Sequence, residues 1–261
     1  MNIVIPTCGR PGAQHTLRQL LAAGLHPFVV VQHHELSDYR RALPKGDYTV
    51  VQLPENIKTI APTRQYILEN VGTDDKLVMV DDDLYFYKRR KDDPTKLEDI
   101  SPDELRAAFE ELGETLDVKK VAHAGFAPRE GANRCTDRTI SNTRIMRVLA
   151  YRRDILTRYG LSFDDMEVME DFHVALQLLE LGFANRVLNW VAHNQAGGSN
   201  VAGGCSTFRT PELQARNAEL LRRYHPDVVR LVQKETKTAW GGGTRTDVVI
   251  AWKKAYKRGI K

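Results

Sequence analysis

Three consecutive carboxylates, Asp81, Asp82 and Asp83, follow directly on the apolar run Leu77-Val-Met-Val80. Like charges at neighbouring positions repel and raise one another's pKa, so such a cluster beside a core calls for a counter-charge. A divalent cation supplies one: hard carboxylate oxygens hold Mg2+ or Mn2+, and phosphate oxygens commonly complete the shell. Three further groups carry chemistry. Thr7-Cys-Gly-Arg10 follows the apolar segment Asn2 to Ile5 and has the donors to hold a base or a phosphate. Arg64 can pair bidentately with phosphate or carboxylate. Glu170-Asp171 opens a segment of helical pattern, where a carboxylate suits the helix dipole and can take the proton of an acceptor hydroxyl. His193 can complete a metal shell.

The elements that must position these groups alternate along the chain. Residues 2–5, 28–31, 48–53 and 77–80 read as strands, the last buried on both faces. Residues 14–23 read as a helix with Leu17, Leu20 and Leu21 at helical spacing. A second helix starts near Pro62 and ends at Gly72. Ser101-Pro-Asp-Glu104 is a capping box with proline at the first helical position, opening a third. Residues 121–126, 145–151 and 184–191 are further strands, and 153–159 is a short helix. Met169 to Gly182 is a helix with Phe172, Ala175, Leu176 and Leu179 as its buried stripe. Thr210-Pro-Glu caps a last one. Tyr85 to Asp99, Ala127 to Arg144 and the glycine-rich stretch from His193 to Phe208 read as loops. Alternating strands and helices predict an α/β fold with a largely parallel sheet and helices on both faces. Ligands of such sheets sit outside the carboxyl ends of the strands, where the three aspartates lie.

Composition narrows the class. With 42% apolar and 28% charged residues in 261, the chain can bury a sizeable core. Its apolar runs fall well short of the roughly 20 residues that cross a bilayer, so no membrane partner is expected. The N-terminus enters a strand with no leader pattern, and the three scattered cysteines fit a reducing cytosol. The net charge of +4 is uneven: residues 237–261 carry +6, leaving −2 on the rest. A basic C-terminal segment holding Trp240, Trp252 and Tyr256 suits a polyanion such as nucleic acid.

Taken in order, these groups resemble a GT-A glycosyltransferase over about residues 1–210. Ile-Val-Ile-Pro-Thr-Cys-Gly-Arg resembles that family's opening strand and nucleotide loop. Ala61-Pro-Thr-Arg64 resembles its sugar-nucleotide arginine segment, and Val80-Asp-Asp-Asp-Leu its Asp-x-Asp metal motif. Met169-Glu-Asp-Phe-His resembles the acidic helix that carries the base of inverting members. His193 stands where the C-terminal metal histidine is often found. The resemblance implies a Rossmann-like, mostly parallel sheet in one domain, residues 1–236, followed by a basic C-terminal extension, residues 237–261. It also implies a nucleotide-sugar donor of UDP or GDP type and a Mn2+ or Mg2+ cofactor. Thr7, Arg10, Arg64, Asp81 and Asp82 would then bind the donor, with Asp81 on the ribose. Asp83 with His193 would hold the metal, although three acids in a row leave Asp82 open as the ligand. Asp171, with Glu170 beside it, would be the base.

Within that superfamily the chain is similar to the phage glycosyltransferases associated with TET-like hydroxylases, which implies hydroxymethylated pyrimidine in phage DNA as acceptor and the host cytoplasm as location. Arg129, Arg134, Arg138 and Arg144 of the arginine-rich stretch would then hold the DNA backbone. Three alternatives stay open: the same fold acting on a polysaccharide, lipid or protein, a nucleotidyltransferase, and a catalytically silent DNA-binding module.

Overall fold

The computed structural model describes residues 1–129, 135–196, 208–236 and 243–261. Its centre is a sheet in the order β3-β2-β1-β4-β9-β7-β10-β5-β6, with β8 paired to β10. These strands are β1 (Asn2–Thr7), β2 (Phe28–Val31), β3 (Thr49–Gln52), β4 (Lys76–Val80), β5 (Leu84–Arg89), β6 (Leu97–Asp99), β7 (Val121–Pro128), β8 (Thr139–Ser141), β9 (Val148–Arg152) and β10 (Ala184–Gln195). Following the pairings across the sheet, β1, β2, β3, β4, β6, β7 and β10 point one way and β5, β8 and β9 the other. The mostly parallel sheet expected from the sequence is therefore present.

Helices cover both faces because the strands are apolar on both. In β4, Val78 and Val80 face one core while Leu77 and Met79 face the other. The first core takes Leu17 and Leu20 of α1 (His15–Ala22), Tyr39 of α2 (Leu36–Ala42) and Phe109 and Leu112 of α4 (Pro102–Thr115). The second takes Ile67 of α3 (Ile60–Asn70), Leu156 of α5 (Arg153–Arg158) and Val174 and Leu178 of α6 (Glu170–Glu180). The Ser101 capping box opens α4 as its sequence predicts.

Two stretches expected as loops contain strands. Between Tyr85 and Asp99 lies the β5–β6 pair, and β5 runs antiparallel to β10. Leu84 and Phe86 are buried and Tyr85 is exposed, an alternation that the charged residues after it obscure in the sequence. In the stretch from Ala127 to Arg144, β7 continues to Pro128 and β8 pairs with β10; both edges are extended by tertiary pairing rather than by local apolar content.

The C-terminal elements are α7 (Pro211–Tyr224), the antiparallel pair β11 (Val229–Thr236) and β12 (Gly243–Ile250), and α8 (Trp252–Gly259). They share a third core with α6, in which Leu176, Leu179, Leu221, Val229, Val248 and Ala255 are buried. The contact between α6 and α8 is close: a Cβ on Gly259 would lie 2.3 Å from the Leu179 carbonyl oxygen, so only glycine fits. Residues to either side of position 237 thus belong to strands that pair with each other.

Candidate active site

The three aspartates are held by the turn that joins β4 to β5. Thr16, in the first turn of α1, clamps it: its hydroxyl donates to the Asp81 carbonyl at 2.5 Å and accepts from the Leu84 N–H at 3.0 Å. The Thr16 N–H donates to the Asp82 carbonyl at 3.1 Å. Backbone bonds on both sides fix the turn, and the three carboxylates differ in their sets of partners, Asp82 and Asp83 sharing Arg10.

Asp82 turns back toward β1. Its Oδ2 accepts from the Thr7 hydroxyl at 2.5 Å, and its Oδ1 from Arg10 at 3.0 Å. Asp83 accepts from Arg10 at 2.6 Å and from the Gln195 amide at 2.8 Å through Oδ2, while its buried Oδ1 has no hydrogen-bond partner among the described residues. Arg10 is thus the counter-charge to two of the three acids. Asp81 looks into the cleft with 31% of its side chain exposed, and Arg64 stands 3.7 Å away. Desolvation, only partly offset by Arg64, and the repulsion of Asp83 and Asp82 push the Asp81 carboxyl up to about 7. Desolvation likewise raises Asp82.

Arg64 joins this strand end to α6. Its guanidinium donates to Glu170 Oε1 at 2.5 Å, and both side chains are buried. Glu170 is pushed up to about 7 by desolvation, against the pull of Arg64. Met169, in the left-handed conformation with φ 66°, turns the chain into α6 so that Glu170 points inward to Arg64. Asp171 lines the cleft, its Oδ1 accepting from the Phe172 N–H at 3.0 Å. Beside it, Arg144 lies 4.8 Å over the Phe172 ring, and Phe172 packs edge-on against Trp252 at 5.7 Å.

The cleft enclosed by these elements has a volume of about 520 Å³ and is lined by Thr7, Arg10, Arg64, all three aspartates, Glu170, Asp171 and Arg144. That volume is ordinary for a small-molecule ligand. Cys8 also lines it, but burial and Glu35 push its thiol up to about 11, which keeps it protonated and a poor nucleophile. Lys58, Gln195, Arg209 and Trp252 line it too and are not evident from the sequence. They come from loops, from the end of β10 and from α8, where position in the chain says nothing about position around the cleft.

His193 lies outside the cleft lining. It is fully buried in β10, two residues before Gln195 and on the same face, and among the described residues neither ring nitrogen has a hydrogen bond of good geometry. Burial and then Arg147 lower its pKa to about 3, so the ring is neutral. Among the described residues no three His, Cys, Asp or Glu side chains are arranged to enclose a metal ion. The donor set fits a cation in another way: carboxylates at a strand end, one with an unpartnered oxygen, suit Mg2+ or Mn2+ that takes most of its remaining ligands from phosphate and water.

The three described arginines of the four expected at DNA are dispersed. Arg144 is at the cleft, Arg129 sits over the Tyr87 ring at 5.8 Å, and Arg138 lies 4.9 Å over Trp190 and pairs with Glu111 at 2.7 Å. Arg134 is outside the described residues.

The family model of the TET-Associated Glycosyltransferases matches residues 1–204. The chain belongs to that family. As such it is a glycosyltransferase, and the three aspartates, Glu170 and Asp171 of its candidate site lie within the matched region with Arg10, Arg64 and Arg144, while Arg209 and Trp252 lie beyond it. The Beta-glucosyl-HMC-alpha-glucosyl-transferase of Enterobacteria phage T6 is 22% identical to this glycosyltransferase over 236 residues, covering 88% of this chain and 83% of the relative. Among solved structures, the mannosyltransferase PcManGT from Pyrobaculum calidifontis, in complex with GDP-Man and Mn2+, superposes with a TM-score of 0.56 at 17% identity. The match covers 86% of this chain but only 62% of that one. A putative glucose-1-phosphate thymidylyltransferase from Bacillus anthracis gives 0.51 at 11% identity, covering 87% and 96%. These likenesses establish the GT-A-like sheet. The fold is common to glycosyl- and nucleotidyltransferases, and the family match decides between them. No helix among the described residues is long and apolar enough to cross a membrane.

Proposed function

We propose that this glycosyltransferase moves a sugar from a nucleotide sugar to a hydroxyl carried on DNA, with a divalent cation at the strand-end acids. One observation carries the reading: the Asp81 carboxylate and the Asp171 carboxylate open onto the same cleft, joined by the buried Arg64–Glu170 pair. Such a site needs one negative cluster for the departing diphosphate's cation and a separate base for the acceptor hydroxyl. Asp83, with Asp82 beside it, is the residue that would hold Mn2+ or Mg2+, which when bound neutralises charge on the leaving diphosphate. Neutral His193, on the Gln195 face of β10, is the further candidate ligand, in line with the metal's preference for an unprotonated imidazole.

In this reading Thr7 and Arg10 orient the acids and meet the base end of the nucleotide, and Asp81 meets the ribose. Arg64 contributes positive potential beside the diphosphate while holding Glu170. Asp171 takes the proton of the acceptor hydroxyl as that oxygen attacks the anomeric carbon, which predicts inversion. Glu170 serves as a positioning residue through Arg64. Support for a DNA acceptor comes from the relative's HMC substrate name and from the basic C-terminal segment. A target hydroxyl in a duplex requires the nucleotide to leave the stack. Of the described arginines expected at DNA, Arg144 at the cleft is the one placed to hold the strand. A DNA acceptor of this kind puts the protein in the host cytoplasm.

The test is a transfer assay with Mn2+, a panel of UDP- and GDP-sugars and DNA containing hydroxymethylcytosine, read by mass spectrometry of the nucleosides and NMR of the product anomer. The expected result is a sugar-sized mass increase on the modified base with release of nucleoside diphosphate and an inverted linkage. A retained anomer removes Asp171 as the base, and release of pyrophosphate from an NTP refutes glycosyl transfer.

A further inference from the structure

Helix α8 begins at the cleft and runs away from it with two unlike faces. Trp252 lines the cleft against Phe172, and Ala255 and Gly259 seat the same side of the helix on α6. At about 100° per residue, Lys253, Lys254, Lys257 and Arg258 share the opposite arc, and all four are exposed. Lys254 donates to the Asp227 carbonyl at 2.8 Å and Arg258 pairs with the Asp227 carboxylate. Lys253 and Lys257, one turn apart, extend into solvent. Lys261 follows them, also exposed. A helix of this length is about 12 Å long, which matches three to four nucleotides of one strand of a duplex.

We infer that the basic face of α8 is a docking surface for the phosphate backbone of the acceptor DNA, holding the strand where it enters the cleft at Trp252. The inference deepens the DNA-acceptor reading and rests on it. Three observations select a polyanion. The side chains that α8 turns to this face are all basic, the face is continuous with the cleft through Trp252, and the apolar side of the same helix is consumed by packing on the helix that carries Asp171. Arg138 of the arginine-rich stretch is less available, because it is held by Glu111 and Trp190. Phosphate contacts position a strand without reading its sequence, which suits a modification applied at many sites.

The test uses the full chain with the double substitution Lys253→Glu and Lys257→Glu, chosen because neither lysine ties α8 to Asp227. Binding of a short fluorescein-labelled duplex containing hydroxymethylcytosine is followed by anisotropy between about 50 and 200 mM salt. The expected variant binds at least tenfold more weakly, with a salt dependence of log K shallower by about 2, one for each phosphate contact. Its melting temperature and its release of nucleoside diphosphate from donor without DNA stay at the wild-type values. If the wild type binds the duplex and the variant binds it equally well with the same slope, α8 is not the docking surface and the DNA-acceptor reading stands. If the wild type itself does not bind the duplex at low salt, both fall together.

Discussion

The Arg64–Glu170 pair gives the sharpest test of how this site is held together. The two side chains are 9% and 4% exposed and meet at 2.5 Å, bridging α3 to the start of α6. Replacing Glu170 with Met leaves a buried guanidinium that cannot lose its proton, and breaking such a pair from one side costs about 3–5 kcal/mol. Asp81 still stands 3.7 Å from the guanidinium, so the lower end, about 3 kcal/mol, is expected. For a chain of this size that lowers the melting temperature by about 6–12 °C. Arg64→Met leaves Glu170 beside Asp171. Its carboxyl, already pushed up to about 7, can neutralise itself by taking a proton, so this variant suffers less at pH 6 than at pH 8. With both residues changed to Met the buried charges vanish together, and most of the loss returns because an apolar pair of similar volume is often neutral. Urea unfolding of the four proteins closes the cycle, with a coupling above about 2 kcal/mol expected. Additivity within about 0.5 kcal/mol would refute the bridge.

Three more outcomes follow from the same geometry. The folded-state pKa of Asp81 is raised from 3.8 to about 7, so its contribution to stability is fully present below the unfolded value and is lost as pH rises through 7. Glu170 acts in the same window. Because Asp81 keeps 31% exposure, screening reduces its share to about 1–2 kcal/mol; thermal melts from pH 4 to 8 that are superimposable for wild type and Asp81→Asn would contradict it. Mn2+ with a nucleoside diphosphate is expected to raise the melting temperature by mass action, more at pH 8 than at pH 6, and Asp83→Ala is expected to abolish the rise. Calorimetry showing the same affinity in Asp83→Ala would exclude Asp83 as a ligand. Asp171→Asn is expected to lower kcat for transfer by about 10²–10⁴ while leaving KM for the donor nearly unchanged. A steady-state assay in which donor KM changes instead would give Asp171 a binding role.

Much of this protein was legible locally. The run Leu77 to Val80 had to be a strand buried on both faces, because it is apolar without alternation, and the three acids that follow it had to emerge at that strand's carboxyl end. The capping box at Ser101 and the glycine at 182 marked helix limits through backbone chemistry that acts over a few residues. Adjacent acids at 170 and 171 announced a helix start. The order of these motifs was also enough to suggest the family.

Tertiary structure decided how those residues divide their work. Glu170 and Asp171 are equivalent in the sequence, and only the left-handed turn at Met169 and an arginine 106 residues away send one into a buried pair and leave the other at the cleft. Asp81, Asp82 and Asp83 are chemically identical neighbours, separated only by the partners that Thr16, Thr7, Arg10 and Arg64 bring from distant elements. The β5–β6 pair and the seating of α8 on α6 were likewise hidden, because strand pairing and close glycine contacts depend on surfaces that meet only when the chain is folded. Local propensity sets the elements, but the protonation and direction of each acid depend on desolvation and on charges far along the chain.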